Sequence, residues 1–249
     1  MEVKIDTVDI SKKLLNKLNG SGWETVLHTY LLSSDFQDVL NNLVKLRNSG
    51  KRITPPLKNV FRAFKECPAA ETKVVIIGQD PYPQFNVADG IAFSCGNTNV
   101  PEASLRYIFN DINDNVADEY KSGDDNCDLA RWSNQGVLLI NTAMTTNIGE
   151  IGKHYEIWSD FLVNLLDYFQ WNNPDVVFVM LGKKAQEWND YIGDNYIKIH
   201  ASHPASAAYQ KQSKWNSDNV FTKINEALIK INKTQKKFGS SFLFDCSQS

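Results

Sequence analysis

Four short runs of branched apolar residues punctuate the chain: Lys73–Ile77, Val137–Ile140, Val176–Leu181 and Tyr196–Ile199. Each shows little of the polar alternation of a half-solvated strand. Each therefore predicts a strand covered on both faces, as in a parallel sheet. Between these runs the apolar period becomes that of a helix. Leu105, Ile108, Phe109 and Ile112 fall at i, i+3, i+4 and i+7, with Ser104 placed to cap. Phe161, Leu162, Leu165, Leu166 and Phe169 form a second stripe behind Ser159, and Phe221, Ile224, Leu228 and Ile231 a third after Ser217 and Asp218. Upstream, Phe36 to Leu46 reads as a further amphipathic helix behind Ser34. Strands alternating with helices predict an α/β fold, with a central four-stranded, mainly parallel sheet and helices on both faces.

The polar stretches Asn48–Pro56 and Lys121–Asp128 are too short for interdomain linkers. Residues 1–232 are therefore expected to form one domain. Lys233–Ser249 reads as a tail, polar at first and then FGSSFLFDCSQS, either loosely ordered or docking a short apolar plug. A chain of 249 residues, 42% hydrophobic, can bury a sizeable core. The net charge of −3 excludes a globally basic nucleic-acid binder, so any such footprint must be a local face. Cys67, Cys95, Cys127 and Cys246 lie far apart with no CxxC pair, which argues against a disulfide framework or a zinc site. The N-terminus, MEVKIDTVDISKK, lacks a signal-peptide core, and no apolar run approaches the ~20 residues that span a membrane. A reduced, cytoplasmic protein without membrane contact is the expectation. No repeat of solenoid or propeller period is present.

In an open parallel sheet, ligands bind beyond the carboxyl ends of the strands. After the first run come Gln79, Asp80 and Tyr82, in VVIIGQDPYPQ. After the second comes Asn141, after the third Gly182 and Lys183, and after the fourth His203, in HASHPAS. One edge thus receives an acid, a carboxamide, a base and a flexible turn. Asn presents a donor and an acceptor side by side, suited to a base or amide edge. His and Asp can act as acid, base or charge stabiliser. The set holds no nucleophile paired with a base, no P-loop and no metal cage.

From Gly22 to Lys230 the chain resembles the family-1 uracil-DNA glycosylases. GQDPYP with DGIAFS is similar to that family's water-activating segment and base-stacking phenylalanine. PEASLRYIF resembles its proline-rich loop, DLARWSNQGVLLINTAMT its uracil-reading strand, and SHPASAAY its histidine and duplex-inserting loop. The resemblance implies hydrolysis of the bond between uracil and deoxyribose after the nucleotide is flipped out of the duplex. It implies that Asn141 reads the base edge, Phe93 stacks on the ring, and Tyr82 excludes thymine's methyl. It further implies that Gln79 offers a backbone N–H to O2, that neutral His203 donates to the leaving base, and that Asp80 positions water. Ser104, Lys183, Ser202 and Ser206 would contact phosphates. No metal or cofactor is implied. The implied partners are single- and double-stranded uracil-containing DNA and proteinaceous glycosylase inhibitors, with the protein acting as a monomer.

The sequence departs from the family at three positions. Pro83 replaces a histidine, Lys183 a serine, and Ala207 stands in the wedge position that usually carries leucine, with Tyr209 as a substitute. These departures give weight to an alternative, a weakly catalytic or non-catalytic DNA-binding scaffold. Another α/β hydrolase, acting on free nucleosides, is a third reading. Each residue also has an ordinary explanation: Asp80 as a turn cap before Pro81, Phe93 as core, Asn141 as a partner of loop backbone, His203 as a surface turn residue. His154 and His200 read as structural.

Overall fold

The computed structural model describes residues 6–116, 126–173 and 175–235. Most of the Lys121–Asp128 loop and the tail beyond Gln235 lie outside them. The elements in chain order are α1 (Thr7–Leu18), α2 (Trp23–Val26), α3 (His28–Leu31), α4 (Ser34–Asn48), β1 (Ile53–Thr54), α5 (Arg62–Glu66) and β2 (Val74–Gly78). There follow α6 (Ala103–Asn115), α7 (Ala130–Ser133), β3 (Val137–Asn141), β4 (Thr146–Asn147), α8 (Tyr155–Asn172) and β5 (Val177–Leu181). The chain continues through α9 (Lys183–Gln186), β6 (Ile197–Ala201), α10 (Ala205–Tyr209) and α11 (Val220–Gln235).

The four expected strands form one parallel sheet in the order β3-β2-β5-β6. Every residue of β2 and β5 is buried, so helices cover the sheet from both sides, as the unbroken apolar runs required. The chain leaves β2 for β3 on one side and then returns to β5 on the other. The carboxyl end of β2 is therefore the topological switch point, where a crevice opens between oppositely directed connections. Beneath one face, Trp158 packs edge-on against Phe161 at 5.7 Å and Trp23 against Phe64 at 5.1 Å. Such pairs each contribute about 0.5–1.5 kcal/mol beyond their burial.

Several boundaries differ from expectation. Ser33, not Ser34, caps α4: its backbone is extended, and its Oγ accepts from Phe36 N–H at 3.3 Å. The cap of α6 is Glu102, so Ser104 sits inside the first turn, buried. The stripe behind Ser159 begins earlier, at Tyr155, and Ser159 Oγ donates back to Glu156 O at 3.0 Å. The strands β1 and β4, two residues each, are too short to carry a periodic signal in the sequence, whereas α1, capped by Asp6, does carry one and buries Leu14, Leu15 and Leu18 on one face.

Candidate active site

β2 and β3 end side by side, Gly78 opposite Asn141, and both chains turn outward there. Gly78 O accepts from Thr142 N–H at 3.1 Å, and Gln79 O accepts from Thr142 Oγ1 at 2.6 Å. These bonds lock the peptide that launches Asp80. The absence of a side chain at Gly78 is what makes room: a Cβ there would meet Asn141 Oδ1 and the Phe93 ring. Gly182, with φ +97°, does the same service opposite, since a Cβ on it would stand 2.8 Å from Cβ of His203.

Phe93 has φ +65°, a conformation that costs a non-glycine residue about 1–3 kcal/mol and persists only when its surroundings impose it. Those surroundings are explicit. Buried Asp89 accepts from Ile91 N–H (3.1 Å), Ser94 Oγ (2.6 Å) and Gly96 N–H (3.0 Å). Arg62 clasps Asp89 at 2.9 Å and grips Asp128 with its other nitrogen at 2.6 and 2.9 Å. Tyr82 Oη donates to Phe93 O at 3.1 Å, which ties the Asp80–Tyr82 loop to the same turn.

Asp80 Oδ2 accepts from Gly152 N–H at 2.7 Å. Burial nevertheless pushes its carboxyl up to about 6, that single donor opposing only part of the effect. The Gly152 loop is itself held from below. Thr145 Oγ1 accepts from Trp158 Nε1 at 2.7 Å and meets His154 Nδ1 at 2.9 Å, while His154 Nε2 reaches Asn147 Oδ1 at 3.0 Å. His154 is thus structural, as its place in the sequence suggested. So is His200, exposed within β6 with Nε2 3.0 Å from Asn189 Oδ1.

His203 stands two residues beyond β6, its ring centroid 5.9 Å from that of Phe93. Its Nδ1 accepts from Ala205 N–H at 3.2 Å, so that nitrogen carries no proton. Burial lowers the imidazole to about 4, leaving it neutral at pH 7. The one remaining proton must sit on Nε2, which makes His203 a neutral donor.

A pocket of about 220 Å³ lies at this edge, lined by Gln79, Asp80, Tyr82, Phe93, Ser104, Asn141, His203 and Tyr209 among others. It is smaller than the ~300–1,000 Å³ typical of drug-sized ligands and suits one planar ring. The other expected site residues stand elsewhere. Lys183 is exposed at the start of α9. Ser206 is half-buried in α10. The Ser202 hydroxyl is already engaged, donating to Asn216 O at 3.1 Å and accepting from Trp215 Nε1 at 2.8 Å. Ala207, which the motif places at the wedge position, is 1% exposed and faces inward, so its side chain is not presented to a DNA strand. Tyr209 is 78% exposed and projects from the end of α10. Among the described residues, no three His, Cys, Asp or Glu side chains cluster as metal ligands. Nor is any helix among them long and apolar enough to cross a membrane.

A profile of the uracil DNA glycosylase superfamily matches residues 64–229, well over half of the chain. The chain belongs to the uracil DNA glycosylase superfamily. It is 33% identical over 209 residues to the uracil-DNA glycosylase of Acinetobacter baylyi, covering 83% of this chain and 86% of that protein. It is 33% identical over 214 residues to that of Mycoplasmopsis pulmonis, covering 85% and 94%. Among solved structures, mimivirus uracil-DNA glycosylase matches with a TM-score of 0.77 at 25% identity, over 95% of this chain and 91% of that one. A mimivirus UNG variant in complex with UGI matches with a TM-score of 0.75 at 25% identity, over 90% and 88%. The superfamily match spans Phe93, Asn141, His203 and the loop from Gln79 to Tyr82, so the pocket lies wholly within the matched region.

Proposed function

We propose that the protein excises uracil from DNA by hydrolysing its N-glycosidic bond, leaving an abasic site for base excision repair, and that it does so as a family-1 enzyme. The observation that carries this reading is the convergence of Asp80, Phe93, Asn141 and neutral His203 on one small pocket at the switch point of the sheet.

The chemistry follows from the geometry. A base inside a duplex cannot reach this pocket, so the nucleotide is flipped in. Phe93 takes the ring face. Asn141 offers acceptor and donor to N3–H and O4 of uracil. Tyr82, held by Phe93 O, fills the space beside C5 and keeps thymine's methyl out. As the bond from C1′ to N1 lengthens, its electron pair passes into the base, and negative charge gathers on O2. Nε2–H of His203 and the Gln79 backbone N–H stabilise that charge; preorganised donors of this kind typically supply the largest single catalytic contribution. The Asp80 carboxylate holds water against C1′, offsets the sugar's positive charge, and receives the proton as the new C1′–O bond forms. The products are free uracil and an abasic deoxyribose.

Ser104, Ser206 and Lys183 take phosphates around the pocket, and Ser202 serves the same loop by fixing it. Tyr209 fills the gap left by the flipped base. The protein acts as a monomer on single- and double-stranded DNA, and the same face receives a protein such as UGI. The test is uracil release from an oligonucleotide bearing one uracil, followed by alkaline cleavage at the abasic site.

A further inference from the structure

Beside the base pocket lies a second groove, of about 430 Å³, that the excision reading leaves unused. Its floor includes Leu43, Ile53 and Leu57, Phe85 contributes to its wall, and Arg47 and Arg52 stand on its rim. Phe85 is 66% exposed, a state that a ring of this size reaches at a cost unless something covers it. The Arg52 guanidinium lies 4.4 Å over the Phe85 ring. Neither Arg47 nor Arg52 has an acidic partner among the described residues, whereas neighbouring Lys51 is paired with Glu150.

The groove neighbours the pocket along the chain. Gln84 lines the pocket, and Phe85, the next residue, lines the groove. The two are also built on one rigid body. Gly149 N–H donates to Pro83 O at 2.9 Å, and Ile148 N–H to Arg52 O at 2.7 Å, where β1 and β4 pair. The turn that carries Gly152, the partner of Asp80, therefore also holds Arg52 and Pro83, two residues before Phe85.

We propose that this groove holds the stretch of DNA strand beyond the immediate neighbours of the flipped nucleotide, a base stacking on Phe85 and the following phosphate pairing with Arg52. The inference rests on the reading of the pocket as a site for a flipped base. A nucleic-acid strand is the occupant that uses both features: an aromatic face for a base and unpaired guanidiniums for phosphate. An apolar protein segment would leave both arginines without a partner.

The test uses the full chain and labelled single-stranded oligodeoxynucleotides of three and twelve nucleotides. Each carries a central 2′-fluorinated uridine that resists cleavage, and binding is read by fluorescence anisotropy. Wild type should bind the longer strand more tightly. Phe85→Ala and Arg52→Gln should each weaken binding of the longer strand by about tenfold, the worth of one stacked base or one phosphate pair, and leave the trinucleotide unaffected. Arg52→Gln should also reduce the salt slope of binding by about one. Both side chains lie at the surface, so both variants should fold, which a thermal melt checks. Equal binding of both lengths by wild type, or variants within twofold of wild type on the longer strand, would overturn the proposal. Uracil release from a cleavable trinucleotide is measured in parallel. Its absence would refute excision, while length dependence decides the groove.

Discussion

A Cβ placed on Gly78 would stand 2.5 Å from Oδ1 of Asn141 and 2.9 Å from Cζ of Phe93. Asn141 and Phe93, the proposed base reader and stacking ring, therefore both rest on bare backbone, at the one point where β2 and β3 end together. Gly78→Ala should displace both groups. Misplacement on that scale costs about 100-fold in rate, while the overpacked strand end loses about 1–3 kcal/mol of stability. Measured kcat/KM and a thermal melt separate the two effects. An active Gly78→Ala enzyme would show that neither contact matters.

In the proposed reading, Asn141 discriminates through its amide. In Asn141→Asp the carboxylate accepts only, which matches the N4 amine of cytosine and opposes O4 of uracil. Such edge contacts discriminate by about 1–3 kcal/mol each. Cytosine release should appear, and uracil release should fall by roughly 10- to 100-fold on the same scale. If cytosine is still refused outright, a different group reads the base.

Tyr82→Ala should open the space beside C5 and admit thymine, detectable as release of thymine from ordinary DNA. The same change removes a hydrogen bond to Phe93 O, worth about 0.5–1.5 kcal/mol. Unchanged rejection of thymine would remove Tyr82 from the gate.

In the proposed mechanism, Asp80 sets the acid limb of the pH profile. With its carboxyl raised to about 6 by burial, activity should fall with unit slope below that pH. His203, lowered to about 4, stays neutral through the same range and adds nothing to that limb. The sign for stability is the reverse of a salt-bridged acid. The folded state binds this proton more tightly than the unfolded chain, so stability declines as pH rises from about 4 to 6. Asp80→Asn should therefore melt higher than wild type at pH 7, with the gap closing below pH 4, while losing activity. An acid limb that survives in Asp80→Asn belongs to another group.

Much of this was legible in the chain, because an apolar run that ends on Gln79-Asp80 or Asn141 announces both a buried strand and its polar exit. The helix phase around the wedge was not. Motif matching places letters, whereas α10 turns each residue about 100° from the last. Ala207 and Tyr209 consequently face opposite ways, one buried and one 78% exposed. Nor did the sequence reveal Gly152, which reaches Asp80 across 72 positions, or Arg62 beneath the Phe93 turn. Those links are made by the fold, and no local pattern marks them.

Tyr209→Ala follows from that phase. Single strands need little help to expose a base, so their excision should be nearly unchanged. Duplex excision should fall several-fold or more, since unstacking one step costs a few kcal/mol. Equal losses on both substrates would mean that Tyr209 is no wedge.

The most direct test is a time course of uracil release from single-stranded DNA with one uracil, comparing wild type, Asp80→Asn and Asn141→Asp. Wild type should yield free uracil and an alkali-labile site, with Asp80→Asn at least 100-fold slower, as expected on loss of a general base. No release by wild type at high enzyme concentration, or equal rates in wild type and Asp80→Asn, would contradict the assignment of this pocket to uracil excision.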